Sequence, residues 1–293
     1  MIIAVDIGNS AAKAALVEGG TVQDQGRLDT SVASTGDLLD GLRILAGKTD
    51  PEPVRIVAVS VVDRWTERLE QAADELGLPL TVVAASHIPI STALVRPDQT
   101  GPDRLLAAWA AAALHGRPVI VVDLGTATTV DAVDADGFFL GGAILPGLGL
   151  AAAALAEGTA RLPRVALELP EEAIGADTSS AIQSGVVIGH VGAVRELVAR
   201  MRGHLGRSVG ANDQDDVRVV VTGGHAAADW AEQAWCQPAG PGLPAVAHEI
   251  DPGLVLRGLG LLAEHMAVRP KAGASRHSDS GAANSTSATQ ASP

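Results

Sequence analysis

The chain reads Ile3-Ala-Val-Asp6-Ile-Gly8 near its start and Val121-Val-Asp123-Leu-Gly125 near its middle. In both stretches a run of β-forming residues leads to Asp, one apolar residue and Gly, and small polar residues and a second apolar run follow. This pattern predicts a strand, a tight turn and a returning strand, with the first tip at Gly8-Asn9. One Asp-X-Gly is a common turn, but two copies directly behind buried strands favour two equivalent α/β halves that face each other.

Strands and helices alternate along the rest of each half, which is typical of an α/β fold. Apolar runs predict strands, apolar residues at helical spacing predict helices, and Pro in a first turn marks a helix start. The predicted strands are Val54–Val62, Val119–Val122, Val130–Val133, Phe138–Leu140 and Val219–Val221, and the predicted helices are Thr66–Leu76 and Arg104–Leu114, the latter after Gly101-Pro102.

The composition is that of a globular protein with an acidic surface. Of the 293 residues, 47% are hydrophobic and 19% are charged, and the formal net charge is −13. Nucleic acids and anionic membranes are held by basic surfaces, so neither is expected as the main partner. The single cysteine, Cys236, excludes an intrachain disulfide and a Cys-rich zinc site. No run approaches the ~18 apolar residues of a membrane helix, and we expect a cytoplasmic protein.

The end of the chain differs in composition from the rest, because no large apolar residue follows Val268. Such a segment cannot offset its ordering entropy by burial, so we expect a disordered tail at residues 269–293. The folded part then divides into a first half at residues 1–117 and a second half at residues 118–268.

Neither of the two commonest phosphate-binding motifs is present. The chain has no Gly-x-x-x-x-Gly-Lys-Ser/Thr loop and no Gly-x-Gly-x-x-Gly turn between a strand and a helix. Hairpin tips offer another way to hold phosphate. Gly8 and Gly125 let backbone N–H groups approach phosphate oxygens, and the hydroxyls of Ser10, Thr126 and Thr128 add donors.

The two hairpin carboxylates require a nearby cation if phosphate binds there. Asp6 and Asp123 repel a triphosphate unless positive charge lies between them, so their pairing implies Mg²⁺. Lys13 either contacts phosphate as well or lies at a solvated strand end.

A third feature is the Thr222-Gly223-Gly224 turn behind the late apolar strand. Two glycines let a flat ligand such as adenine lie against the backbone, although Gly-Gly after a strand is also an ordinary loop. We interpret His225, the next residue, as a polar loop residue rather than a catalyst.

Together the two hairpins and the late Gly-Gly turn resemble the nucleotide elements of the actin and sugar-kinase superfamily, which implies two duplicated actin-like (ribonuclease H-like) domains across a cleft. Within it, the chain resembles type III pantothenate kinases over about residues 2 to 260. The motifs that carry this resemblance, in order, are Asp6-Ile-Gly-Asn-Ser10, Gly101-Pro-Asp-Arg104, Asp123-Leu-Gly-Thr-Ala-Thr-Thr129, Gly141-Gly-Ala-Ile-Leu-Pro-Gly147, Thr159-Ala-Arg-Leu-Pro163, Gly175-Ala-Asp-Thr178 and Ala181-Ile-Gln-Ser-Gly185.

The resemblance implies a role for each matching residue, in a homodimeric enzyme that phosphorylates pantothenate with ATP and Mg²⁺. The residues implied to bind ATP are Asp6, Ile7, Gly8, Asn9, Ser10, Ala11, Ala12, Lys13 and Thr126. The residues implied to bind pantothenate are Gly101, Pro102, Asp103, Arg104 and Thr178. Asp103 is implied as the general base, and Asp123 as the ligand of a monovalent cation, K⁺ or NH₄⁺.

Elementary chemistry agrees with the role of Asp103. Phosphoryl transfer needs mainly alignment and charge neutralisation, and a carboxylate that accepts the attacking hydroxyl's proton adds to these. An Asp in the first helical turn is anchored near the positive end of the helix dipole. The alternative is that Asp103 only stabilises that turn and that Arg104 is its surface partner.

Two positions depart from the family pattern. Type III enzymes usually have a Tyr, which helps to bind substrate, where this chain has Leu94, and Thr is usual where it has Ser10. Ser10 keeps the hydroxyl, but Leu94 leaves open a kinase of the same fold that acts on another small alcohol. A nucleotide-binding regulator without turnover is a further alternative, although it predicts the loss of Asp103 or of one hairpin.

Overall fold

The computed structural model describes residues 1–30, 33–48, 55–209, 217–240 and 242–268. Eleven strands in this part of the chain form two sheets. The strands are β1 Ile2–Ile7, β2 Ala11–Glu18, β3 Thr21–Asp29, β4 Ile56–Ser60, β5 Leu80–Val82, β6 Ser91–Thr92, β7 Val119–Leu124, β8 Ala127–Val133, β9 Phe138–Pro146, β10 Arg218–Thr222 and β11 Glu249–Ile250. The helices are α1 Thr35–Ala46, α2 Asp63–Leu76, α3 Pro102–His115, α4 Leu148–Gly158, α5 Thr178–Gln183, α6 Gly189–Val209, α7 Ala231–Cys236 and α8 Leu254–Val268.

The two sheets repeat one topology. The first has the order β3-β2-β1-β4-β5, and the second contains the matching order β9-β8-β7-β10-β11, with β6 added beside β9. In each, the first three strands are antiparallel neighbours and the last two join in parallel. The predicted fold class of two duplicated actin-like halves is therefore confirmed.

Each predicted hairpin forms where the sequence places it. In the first, β1 pairs with β2 from Ile2–Val17 to Ile7–Ala12, and in the second β7 pairs with β8 from Val119–Val133 to Leu124–Thr128. The pairing buries the apolar residues of β1 and β7 almost completely. β-branched residues in such strands pack well on a pleated surface, which explains why both runs fold this way.

The elements stack in layers. Helices α1 and α2 cover the outer face of the first sheet, and α6 and α7 cover the outer face of the second. Helices α3 and α8 pack against each other in the core between the two sheets. That core is built mainly from Ala, Val, Leu and Ile, with Phe139 among them, as the scarcity of aromatic residues predicts.

Two elements connect the halves across the predicted division at residues 117 and 118. Strand β6 precedes this point but pairs with β9, and helix α8 follows it but contacts β1, β2 and β4. The division stays a prediction.

The glycines of β9 explain why this strand is longer than the predicted Phe138–Leu140. Gly141 has φ +97° beside a register shift between β8 and β9, and a side chain on Gly142 would overlap the Val130 carbonyl of β8. Glycine here permits close approach and a bulge instead of ending the strand.

Other predicted boundaries are correct to within a few residues, with helix starts at Asp63 and Pro102. Val54 and residues 269–293, the expected tail, lie outside the described residues. Within the described ranges, no helix is long and apolar enough to cross a membrane.

Candidate active site

The tips of the two hairpins touch. The hydroxyl oxygens of Ser10 and Thr126 are 2.6 Å apart, within hydrogen-bonding distance across the two halves. Each tip is also fixed from behind, because Thr30 Oγ1 donates to the Asn9 carbonyl at 2.9 Å and the Gly147 N–H donates to the Thr126 carbonyl at 3.0 Å. Two hydroxyl groups implied to bind nucleotide thus meet at one point.

The glycine N–H groups of the tips are already engaged. The Gly8 N–H donates to the Ala11 carbonyl at 2.9 Å, and the Gly125 N–H donates to the Ala127 carbonyl at 3.2 Å. These bonds close the turns, so the N–H groups of the two glycines themselves are engaged within the hairpins. The tip hydroxyls remain as donors that face the opposite half.

Thr128 does not belong to the site, contrary to the expectation from sequence. Its side chain is fully buried, and its Oγ1 lies 3.0 Å from Nε2 of His190 on α6. Side chains alternate between the two faces of a strand. Thr128 therefore points to the core, whereas its neighbours Ala127 and Thr129 point to the opposite face. Burial, and then the nearby His225, lowers the pKa of His190, which favours its neutral ring.

The carboxyl groups at the ends of β1 and β7 are buried, and burial raises their pKa values. Burial raises the pKa of Asp6 to about 6, with Asp103 adding to the rise and Lys13, its partner across β1 and β2, opposing it. Burial raises the pKa of Asp123 to about 7, and the negative charge of Asp6 adds to this rise. The charge of one hairpin carboxyl thus acts on the other across the two halves.

Asp103 joins this group from the first turn of α3. Its negative charge adds to the raised pKa of both hairpin carboxyls, so the three carboxyl groups interact electrostatically. Burial raises the pKa of Asp103 itself, although hydrogen bonds from backbone N–H groups oppose the rise. One carboxylate oxygen lies where a β-carbon on Gly101 would stand, so a side chain at this position would displace the Asp103 carboxylate.

Arg104 makes a buried ion pair that sequence reasoning missed. Its Nε and Nη2 donate to the two carboxylate oxygens of Asp131 at 3.1 and 2.5 Å, and its guanidinium lies 5.9 Å from the Phe139 ring centre. The idea that Arg104 is a surface partner of Asp103 is therefore wrong. A charged residue inside the apolar run Val130–Val133 was the signal that could have found Asp131.

The Gly-Gly turn packs directly against the second hairpin. Gly223 has φ +98°, and a side chain there would overlap the Asp123 carboxylate and the Leu124 backbone. His225 contacts the Leu124 carbonyl through Nδ1 at 3.3 Å. The structure thus brings all three sequence features to one place, and His225 acts there as a polar loop residue.

Two further positions singled out from the sequence are Thr178 and Leu94. Thr178 is the exposed first residue of α5, after the N-cap Asp177. Leu94 packs on Gly141 of β9 and on the apolar core that contains Phe139, the same ring that faces Arg104. At the position where the family usually has Tyr, this chain therefore has an apolar side chain that is linked to Arg104 through Phe139.

The donor set fits a cation that also binds phosphate. In the described ranges no group of three or more His, Cys, Asp or Glu side chains is arranged to hold a metal alone. Mg²⁺ is usually held by one or two carboxylates together with substrate phosphates and water, and Asp6 and Asp123 supply two carboxylates.

One cavity lies far from this chemistry. It measures about 400 Å³ and is lined by Met1, Glu18, Arg55 and Glu264, at the end of β1 opposite to Asp6. None of the residues at the hairpin tips lines it, so we place the active site in the cleft where the carboxylates converge.

Comparison with known proteins gives one consistent result. Residues 2–200 match the family model described as type III pantothenate kinase. The type III pantothenate kinase of Anaeromyxobacter sp. is 37% identical over 271 residues, which cover 90% of this chain and 99% of the relative. That of Dehalococcoides mccartyi strain 195 is 36% identical over 232 residues, 77% of this chain and 87% of the relative.

A solved structure from Campylobacter jejuni, described as a Baf family transcriptional activator, has the same fold with a TM-score of 0.57. Its sequence is 18% identical, over 91% of this chain and 99% of that one. At this identity the likeness concerns the fold alone. The family match and the close relatives lead to one conclusion: this chain belongs to the type III pantothenate kinase family.

Proposed function

We propose that this protein transfers the γ-phosphoryl group of ATP to the 4′-hydroxyl of pantothenate, the first step of coenzyme A biosynthesis. The observation that carries the proposal is the convergence of Asp103 with Asp6 and Asp123 where the two hairpin tips touch. Membership of the family supplies the acceptor.

The nucleotide binds between the hairpins in this proposal. The stretch from Asp6 to Lys13 lines ATP from the first half, and Thr126 contacts its phosphates from the second. The touching hydroxyls of Ser10 and Thr126 support this, because a phosphate placed there accepts from both halves at once. Lys13, opposite Asp6 in the ladder, adds positive charge at the same level.

Two cations complete the site. Asp6 and Asp123 are the residues that would hold Mg²⁺ through oxygen ligands, and the ion would supply positive charge against the charge that develops on the phosphates. We assign the monovalent cation, K⁺ or NH₄⁺, to Asp123. Its raised pKa supports this, because a buried carboxylate that faces a second carboxylate favours a bound positive charge.

Asp103 is the general base in this mechanism. Its carboxylate accepts the proton of the pantothenate hydroxyl as that oxygen attacks the γ-phosphorus, and the bond to the β,γ-bridging oxygen breaks to release ADP. A base works best when its pKa lies near the working pH, and burial moves the pKa of Asp103 upward in this direction. Gly101 gives the carboxylate its space, and Arg104, fixed by Asp131, lies beside it.

Exposed apolar side chains in the second half support a homodimer. Ile174 is 89% exposed, Ile144 64% and Leu150 50%. Where such side chains form a contiguous patch, they are typical of a protein interface. We propose that a second copy covers them, so that the pantothenate site with Thr178 lies near the subunit interface.

Leu94 supports one alternative acceptor class. Leu94 is apolar where the family usually has Tyr. A polar group of pantothenate would therefore lack the hydrogen bond that the phenol donates. A smaller or less polar primary alcohol is the alternative acceptor.

The test is ATP consumption by the purified protein against a panel of small alcohols that includes pantothenate, with Mg²⁺ and K⁺ present. We expect pantothenate to give the highest kcat/KM. A higher value for another alcohol assigns the protein to the alternative, and ADP release without any phosphorylated alcohol contradicts both.

A further inference from the structure

Arg27 is a cleft residue for which neither the motifs nor the family resemblance gives a role. It lies on β3 opposite Lys13 of β2, and Lys13 lies opposite Asp6 of β1. Residues directly opposite each other in antiparallel strands share one face of the sheet. Arg27, Lys13 and Asp6 therefore form a row across three strands, on the face that carries the Asp6 carboxylate.

The side chain of Arg27 reaches from the first half to the second. Its Nη1 lies 3.2 Å, and its Cζ 4.0 Å, from the point where a β-carbon on Gly224 would stand. The guanidinium thus lies against the Gly223-Gly224 turn, which in turn packs on Asp123 and Leu124. It sits between the first hairpin and this Gly-Gly turn.

Charge explains why an arginine at this place concerns the nucleotide. The cleft contains the carboxylates of Asp6, Asp103 and Asp123, so ATP brings further negative charge to an acidic site. A planar guanidinium presents several N–H donors and binds phosphate oxygens in pairs, which a lysine ammonium does not. Arg27 is exposed, so these donors are open to a ligand in the cleft.

We propose that Arg27 is a nucleotide-binding residue that donates to the phosphates of ATP from β3 while its guanidinium rests on Gly224. The inference rests on the proposed use of ATP and adds a contact from outside the Asp6–Lys13 stretch. Gly224 is the other half of this contact, because a β-carbon there would stand 3.2 Å from Nη1 and shift the guanidinium by a few tenths of an ångström.

The experiment measures binding of ATP, ADP and adenosine by calorimetry for the wild type, Arg27→Gln and Arg27→Lys. A lost charge-assisted pair weakens ATP and ADP binding by about 10- to 100-fold in Arg27→Gln. Adenosine, which lacks phosphates, binds Arg27→Gln as it binds the wild type. Arg27→Lys recovers part of the ATP affinity, since it restores charge without the paired geometry. Arg43→Gln, which removes an exposed arginine paired with Asp40 on α1, is the matched control and leaves all three affinities unchanged.

A structural role gives a different result. If Arg27 only links the halves, Arg27→Gln lowers the melting temperature and weakens adenosine as much as ATP, and this result overturns the proposal. Unchanged ATP affinity also overturns it. No acceptor is present in these titrations, so an error in the assigned alcohol does not affect the outcome.

Gly224→Ala sharpens the test. Its new methyl group meets Arg27 Nη1 and weakens ATP binding in the wild-type background, but it has little further effect in Arg27→Gln. Equal effects of Gly224→Ala in the two backgrounds contradict the contact between Arg27 and this turn.

Discussion

The β1–β2 and β7–β8 hairpins share one backbone design and differ in charge. Both place Asp at the end of a buried strand and close the tip with a glycine N–H bond. Asp6 faces Lys13 across its ladder, whereas Asp123 faces Thr129. Burial raises both pKa values, to about 6 for Asp6 and about 7 for Asp123; Lys13 lowers both, and the charge of Asp6 adds to the rise at Asp123.

The two halves of this duplicated fold therefore differ in the charge that lies beside the hairpin carboxylate. The first hairpin carries a cation within its own strands, and the second carries a carboxylate opposite a neutral residue. A bound cation therefore relieves more repulsion at Asp123 than at Asp6. Asp103 belongs to neither hairpin, and its substitution has the largest expected effect.

Asp103→Asn separates the chemistry from both hairpins. The amide keeps the size and polarity of the side chain but cannot accept a proton, so kcat falls by about 10²-fold or more while ATP affinity stays near wild type. A coupled turnover assay and ATP calorimetry measure the two effects. Asp63→Asn, at the first turn of α2, is the control and keeps full activity. Near wild-type turnover in Asp103→Asn leaves this residue a structural first-turn acid.

Gly8→Val and Gly125→Val compare the two tips directly. A branched side chain at either tip obstructs the phosphate site, so ATP affinity falls by about 10-fold or more. Gly125→Val also destabilises the fold, since its β-carbon would lie 3.2 Å from the Ala127 carbonyl, against 3.6 Å between Gly8 and the Ala11 carbonyl. ATP calorimetry and thermal unfolding measure both. Equal loss of stability in the two variants contradicts the difference in space.

Exchange of K⁺ for Na⁺ at constant ionic strength tests the assignment of the monovalent cation. We expect a several-fold rise in the KM for ATP in the wild type and in Asp6→Asn, because Asp123 is intact in both. Asp123→Asn loses the distinction between the two cations, together with part of its activity. Steady-state kinetics in the two salts decide the matter, and a wild type that works equally well in sodium removes Asp123 from this role.

The stability of the ligand-free protein gives the smallest effect. A carboxyl whose pKa is raised by folding binds its proton more tightly in the folded state, so the free energy of unfolding falls as pH rises from about 4 to about 7. Asp123→Asn removes this loss and raises the melting temperature at pH 8 by about 2–4 °C per kcal/mol recovered. At pH 4 the variant and the wild type unfold at similar temperatures. An equal difference at both pH values shows that charge is not the cause.

Much of this architecture could be predicted from sequence, because its signals are local. The hairpins, the first turn of α3 and the Gly-Gly turn each depend on neighbouring residues, and each forms where the sequence places it. Long-range partners gave no such signal. Thr128 looked like a third tip hydroxyl until strand alternation turned it to His190, and Arg104 looked exposed until β8 brought Asp131 to it.

Arg27 is a further residue whose place in the cleft could not be predicted from its neighbours in the sequence. Nothing in the local sequence around it suggests a ligand, since β3 reads as a polar strand. Its place follows only from two registers, β1 with β2 and β2 with β3, and from the approach of Gly224 from the other half.

The position of α8 between the sheets bears on how the chain folds as it is made. Strands β1, β2 and β4 leave the ribosome early, but the helix that covers their inner face begins only at Leu254. Until then the apolar face with Ala4 and Val17 has no final cover and offers a surface for chaperones or aggregation. A premature stop before Leu254 would therefore damage the first half of the protein as well as the second.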